Sequence, residues 1–146
     1  MYPFYLELEL VKPVSDFFKK QEFKVFYEIR IGFCRADLVA IKNDLVIAVE
    51  LKLKDYKKAI IQAKNYQLGS DLVYIAVPLM RSYNILRKAE HSLKKHGIGL
   101  LIVNEKTCDP KIIIDAKKST KKIGSITLNE IENTRKKRLN KKYHYK

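Results

Sequence analysis

Asp37 and Glu50 are separated by twelve residues, and Lys52 follows Glu50 after one more. The chain around them, Ala36-Asp-Leu-Val-Ala-Ile41 and Leu45-Val-Ile-Ala-Val-Glu-Leu-Lys-Leu53, is otherwise apolar. Charges set into buried strands need partners or a metal ion, because an isolated buried charge is costly. Arg35–Ile41 and Leu45–Leu51 read as short strands rich in Val and Ile, and Asn43-Asp44 suits a two-residue hairpin turn. With that turn Lys42 faces Leu45, and counting outward sets Asp37 opposite Glu50. Directly opposed side chains have Cβ atoms about 4.5–5.5 Å apart, so the two carboxylates can share one cation. A different turn would shift this register by one or two residues. Lys52 points to the same face as Glu50, and the Leu51 carbonyl between them is a further oxygen. Hard, oxygen-rich, partly open coordination is what Mg²⁺ or Mn²⁺ takes. Taken singly, an Asp, Glu or Lys at a strand end is an ordinary solvated residue.

This arrangement resembles the PD-(D/E)XK nuclease superfamily, with Ala36 where the Pro of that name would stand. A second resemblance covers most of the chain and is to an uncharacterised prokaryotic family of PD-(D/E)XK-type phosphodiesterases. It is carried by Val11-Lys-Pro-Val14 with Phe17-Phe18, Phe26-Tyr-Glu28, Ala36-Asp-Leu-Val-Ala40, Ala48-Val-Glu-Leu-Lys-Leu53, Ile61-Gln-Ala63, Val73-Tyr-Ile-Ala-Val-Pro78 and Gly97-Ile-Gly-Leu-Leu101. The resemblance implies an α/β fold with a restriction-endonuclease-like core, a central mixed β-sheet flanked by helices. It implies Asp37, Glu50 and the Leu51 carbonyl as metal ligands and Lys52 beside the reacting phosphate. Many superfamily members carry a further acid on the first helix; Glu7 and Glu9 are the candidates, with Glu7 favoured, and a solvated acid near a helix start is the alternative. Glu28 reads either as a further active-site carboxylate or as an ion-pair partner of Arg30 or Arg35. Gln62 and Tyr66 are four apart on one helix face and resemble a Gln-x-x-x-Tyr pair lying beside the catalytic groups of recombination and type I restriction nucleases. Alternatively, Tyr66 is a core-edge aromatic.

The chain has 146 residues, 47% of them apolar, which suits one domain with a full core. We divide it into a nuclease-like domain over 1–116 and a basic loop with a C-terminal helix or tail over 117–146, appended to that domain. No apolar run reaches membrane-span length, and Met-Tyr-Pro-Phe-Tyr-Leu-Glu lacks the basic region and small-residue cleavage site of a secretory signal, so none is expected. Cys34 and Cys108 have no disulfide or zinc spacing. A cytoplasmic protein with free thiols and no membrane association is the expectation. Net charge is +14, and residues 111–146 carry 12 Lys and Arg against 3 acids. Such an excess suits a polyanion, although lysine-rich composition also follows genome bias or heat adaptation.

The elements that must position these groups are legible from periodicity. A helix over about 12–21 buries Val14, Phe17 and Phe18; Lys24–Ile31 is a strand. A helix after Asp55 as N-cap carries Ala59, Ile60 and Ala63 inward and ends near Gly69 as C′. Leu72–Pro78 is a central strand. Arg81–His96 is a helix with Ser82 as N-cap and Gly97 as C′, followed by a strand from Gly99 and an edge strand from Lys111. Thr127 would cap a last helix through Leu139. The expected function is Mg²⁺- or Mn²⁺-dependent hydrolysis of nucleic acid, DNA before RNA. Lys54, Lys57, Lys58, Tyr66, Arg135, Lys136, Lys137 and Arg138 are the candidate nucleic-acid contacts, and a homodimer is expected by analogy with small resolvase-like nucleases. The competing readings are a binding or assembly protein that keeps the fold without the chemistry, and an enzyme acting on a small phosphate ester.

Overall fold

Six strands form one sheet in the order β1-β2-β3-β4-β5-β6. The structure is a computed structural model that describes residues 4–144, with side chains described as far as residue 136. A 3-10 turn over Glu7–Leu10 runs into α1 (Val11–Lys20). An antiparallel meander follows: β1 (Lys24–Ile31), β2 (Cys34–Lys42) and β3 (Leu45–Leu51). Two strand–helix–strand crossovers then give α2 (Tyr56–Tyr66), β4 (Leu72–Pro78), α3 (Leu79–His96) and β5 (Gly99–Val103), with β3, β4 and β5 mutually parallel. The antiparallel edge strand β6 (Pro110–Ile114) and the helix α4 (Ile126–His144) complete the chain. The central mixed sheet flanked by helices is the fold class that the sequence implied.

The sheet separates two apolar layers. Leu10 at the end of the 3-10 turn and Val14 and Phe18 of α1, spaced four apart, close one face over Leu38, Ala40, Ile47, Val49, Leu51 and Leu101. Ala59, Ala63 and Tyr66 of α2, Ile85, Ala89 and Leu93 of α3, and Ile131 of α4 close the other over Val46, Ala48, Val73, Ile75 and Leu100. Strands β4 and β5 are covered on both sides, which is why they are continuous apolar runs.

Three expected caps are used differently. Helix α2 begins after Asp55, whose side chain accepts from the Lys58 amide, but it ends at Gln67, and Gly69 is not its C′. A Cβ on Gly69 would lie 2.3 Å from Thr127 Oγ1 and 2.8 Å from Ile31, so glycine there permits close packing of the start of α4. Thr127 lies inside α4 and donates its hydroxyl proton to the Gly69 carbonyl at 2.6 Å instead of capping. Helix α3 starts at Leu79, two residues before expected, and Ser82 bonds the Leu79 carbonyl from within the first turn. Gly97 does end α3 in the left-handed region, at φ 71°. The basic segment after β6 is held to the core by Lys122 on buried Asp71 at 3.1 Å and by Ser119 on the Gln67 carbonyl at 2.8 Å.

Candidate active site

Lys42 pairs with Leu45 across the Asn43-Asp44 turn, and the β2–β3 ladder runs to Leu38 opposite Val49. The register expected from the turn holds that far; Asp37 and Glu50, the residues that follow, lie beyond the paired ladder. Beyond Val49 the backbone ladder gives way to a side chain, for Asp37 Oδ2 accepts the Leu51 amide at 2.7 Å. That bond satisfies a strand-end amide and fixes the Asp37 carboxylate beside Glu50 and the Leu51 peptide.

On the other side of β2, Tyr27 pairs with Leu38 and Ile29 with Ala36, while Glu28 and Asp37 between them leave the ladder. Phe26 and Ile29 both pack in the layer under α2, as do Ala36 and Val39, although three positions separate each pair. Regular alternation allows only even separations on one face. Each strand therefore carries one extra residue at the same level, so the register is kept while the pleat is reset. Glu28 takes the strain, at φ 51°, a region that non-glycine residues seldom occupy. Glu28 and Asp37 thus leave the ladder at the same level and line one cleft.

Glu50 is 3% exposed. Its Oε1 accepts the Tyr66 hydroxyl at 2.6 Å, and its Oε2 lies 3.5 Å from Lys52 Nζ. Burial pushes the Glu50 carboxyl up to about 7; the Tyr66 hydrogen bond opposes this, the Asp37 charge and hydrogen bond reinforce it, and Lys52 opposes it. Tyr66 is fully buried, and its phenol is raised by burial and by Glu50, so it remains a donor. Its single proton also faces the Arg35 carbonyl at 2.8 Å. Tyr66, expected against nucleic acid, thus holds Glu50 to β2 from inside the core. Lys52, its side chain 15% exposed, also reaches Glu7 Oε2 at 3.9 Å, which brings the 3-10 turn to the site. Glu9 does other work: its Oε1 accepts the Tyr5 and Leu6 amides and caps that turn.

Gln62 lies one turn before Tyr66, and its buried Oε1 has no partner. A buried acceptor without a partner is uncommon in a folded protein. Among the described residues no three His, Cys, Asp or Glu side chains converge as a closed metal cage. Asp37, Glu50 and the Leu51 carbonyl are the oxygens here that could hold a cation such as Mg²⁺, which keeps water in the rest of its shell. Glu28, exposed and without an ion pair to Arg30 or Arg35 among the described residues, lines a cleft of about 250 Å³ with Glu7, Tyr27, Asp37 and Leu51.

The expected nucleic-acid residues divide by place. Lys54 and Lys58 are exposed and share a cleft of about 340 Å³ with Glu7 and Lys52. Lys54 and Lys57 line another, of about 180 Å³, with Arg81, which the sequence reading passed over. Arg135 and Lys136 are exposed on α4, whose Ile131 packs in the core; the side chains of Lys137 and Arg138 lie outside the described residues. Arg30, Phe33 and Arg35 are exposed around the β1–β2 turn and were not among the expected contacts. Among the described residues, no helix is long and apolar enough to cross a membrane.

No family model and no curated protein matches this chain. Solved structures do. A protein of unknown function from Silicibacter pomeroyi superposes with a TM-score of 0.67 at 18% identity, over 89% of this chain and 86% of its own. An XisH family protein from Nostoc punctiforme gives 0.54 at 19% identity, over 75% and 97%. An FdxN element excision controlling factor protein from Anabaena variabilis gives 0.51 at 20%, over 72% and 95%. These likenesses show the fold: a restriction-endonuclease-like α/β core.

Proposed function

We propose that this protein is a Mg²⁺- or Mn²⁺-dependent phosphodiesterase that hydrolyses nucleic acid, DNA in preference to RNA. The observation that carries the reading is Asp37, buried Glu50 and Lys52 converging at one sheet margin. Asp37, Glu50 and the Leu51 carbonyl would hold the cation, which when bound supplies Lewis acidity to phosphate and water. Burial foremost, and then the Asp37 charge, makes Glu50 harder to ionise, and a cation held here would offset both. Lys52 is placed to stabilise negative charge developing on the phosphate. Gln62 orients water or the Lys52 ammonium, and Tyr66 keeps Glu50 in register with β2. Glu7 and Glu28 border the approach, and Lys54, Lys57, Lys58, Arg135 and Lys136 supply sequence-independent phosphate contacts.

The rival is a nucleic-acid-binding or assembly protein that retains the fold. One observation favours it: only two carboxylates converge, with no closed cage among the described residues. Incubation with Mn²⁺ and plasmid, single-stranded DNA, branched DNA or RNA separates the two. Cleavage that disappears in Asp37→Asn and Glu50→Gln, with far-UV circular dichroism unchanged, supports the enzyme. Binding without cleavage on every substrate supports the rival.

A further inference from the structure

The β1–β2 turn projects toward solvent beside the site, and its composition has no structural explanation. Phe33 at its tip is 90% exposed. A single exposed Phe is ordinary, but this one stands between Arg30 and Arg35, which face each other across the ladder. Like charges directly opposed on a sheet destabilise it. Among the described residues neither guanidinium meets a carboxylate, and Arg30 makes only a 3.3 Å bond from its Nε to the Gly32 carbonyl.

The turn is also held firmly. Asn65 of α2 donates to the Ile31 carbonyl at 2.6 Å and accepts the Phe33 amide at 3.2 Å. Gly32, at φ 62°, is required there, since a Cβ would come within 2.2 Å of Asn65 Oδ1. The Arg35 carbonyl is bonded to Tyr66, which holds Glu50. The aromatic is thus pre-positioned relative to the carboxylates, and little ordering entropy remains to be lost when something stacks on it. Phe33 is four residue steps from Asp37, about 13 Å along an extended strand, or roughly four base steps along one strand of nucleic acid.

We propose that this hairpin engages an unpaired strand: Phe33 stacks on a base, while Arg30 and Arg35 hold the phosphates on either side. The substrate class follows, nucleic acid with a single-stranded stretch beside the scissile phosphate. In an intact duplex the base faces are already stacked on one another and offer Phe33 no surface. This inference rests on the nuclease reading and narrows its substrate.

The test measures binding by the full chain in chelator, so that cleavage does not interfere. The probes are one sequence as a single strand, a blunt duplex and a duplex with a single-stranded tail, each carrying 2-aminopurine in the tail or its counterpart. The parent protein is expected to favour the single strand and the tailed duplex and to change the 2-aminopurine emission on binding. Phe33→Ala should weaken both about tenfold and abolish the emission change, leaving the blunt duplex within about twofold; Phe33→Tyr should restore both. Arg30→Gln and Arg35→Gln should each lower the log–log salt slope on the single strand by about 0.7. Thermal midpoints should not fall, because none of the three side chains is buried. Phe33→Ala binding indistinguishable from the parent on all three probes overturns this inference and leaves the nuclease reading standing. So does a change of oligomeric state in Phe33→Ala with affinity unchanged, which would make Phe33 a contact between copies. A parent protein that binds none of the probes removes both readings.

Discussion

Glu50 is a carboxyl that folding makes harder to ionise, and this has a sign that can be measured. Its pKa rises from 4.5 in the ordinary state to about 7 in the fold. Below pH 4.5 the group is protonated in both states and contributes nothing unfavourable. Between 4.5 and about 7 the unfolded chain releases its proton and the folded chain keeps it, so stability falls as pH rises. Above about 8 the loss is complete. At 1.36 kcal/mol per unit, the displacement corresponds to about 3 kcal/mol, with little solvent screening because Glu50 is 3% exposed. For a domain of this size that is roughly 10 °C in melting temperature. Glu50→Gln removes the charge and keeps the shape. The difference between variant and parent, measured by calorimetry in chelator from pH 4.5 to 8.5, cancels the titrations that they share. The variant should be no more stable near pH 4.5 and more stable by about 3 kcal/mol at pH 8.5. Adding Mg²⁺ or Mn²⁺ at pH 8 should raise the parent's midpoint and leave the variant's nearly unmoved. Parallel pH profiles for the two proteins would refute the buried, mutually repelling pair.

Three further predictions concern groups outside that pair. Lys52→Gln should lower kcat about a hundredfold or more in single-turnover cleavage while substrate affinity changes little, since its charge acts on the phosphate as it reacts; an unchanged kcat would remove Lys52 from the chemistry. On α4, Ile131→Ala should cost about 2–4 kcal/mol in urea unfolding because its side chain is in the core. Arg135→Gln with Lys136→Gln should leave stability alone and lower the salt slope on duplex DNA by about 1.8; an unchanged slope would make that face merely solvated.

The register of the site was legible because a two-residue turn and strict pairing leave one answer, and Asn43 takes the left-handed turn at φ 55° that this answer needs. The helix boundaries were less so. Gly69, Ser82 and Thr127 have the residue types of caps at nearly the right distances, and residue type does not distinguish capping from close packing. Gly69 and Thr127 meet each other across 58 residues, a contact that no local window contains. The buried Tyr66–Glu50 bond was half visible: Gln62 and Tyr66 share a helix face, but which of them is sealed and which left open depends on how deeply α2 sinks into the sheet.

Hidden from simple alternation was the reset at Glu28 and Asp37. An extra residue in one strand alone would have shifted the pairing and shown itself as a bulge. Here β1 and β2 each carry one, and the pairing continues in step on either side. The signal lies in the spacing of three between Phe26 and Ile29 and between Ala36 and Val39, where both partners must reach the same layer. The consequence is chemical. Glu50 belongs to the layer under α2, where Tyr66 holds it, whereas Asp37 opens on the cleft bordered by Glu7, Tyr27 and Glu28 beside α1. A regular β2 would commit position 37 wholly to one layer. The reset lets one carboxylate face the cleft and still meet a buried one at the sheet margin, so a substrate phosphate entering from the α1 side would reach a pair whose other half is locked in the core.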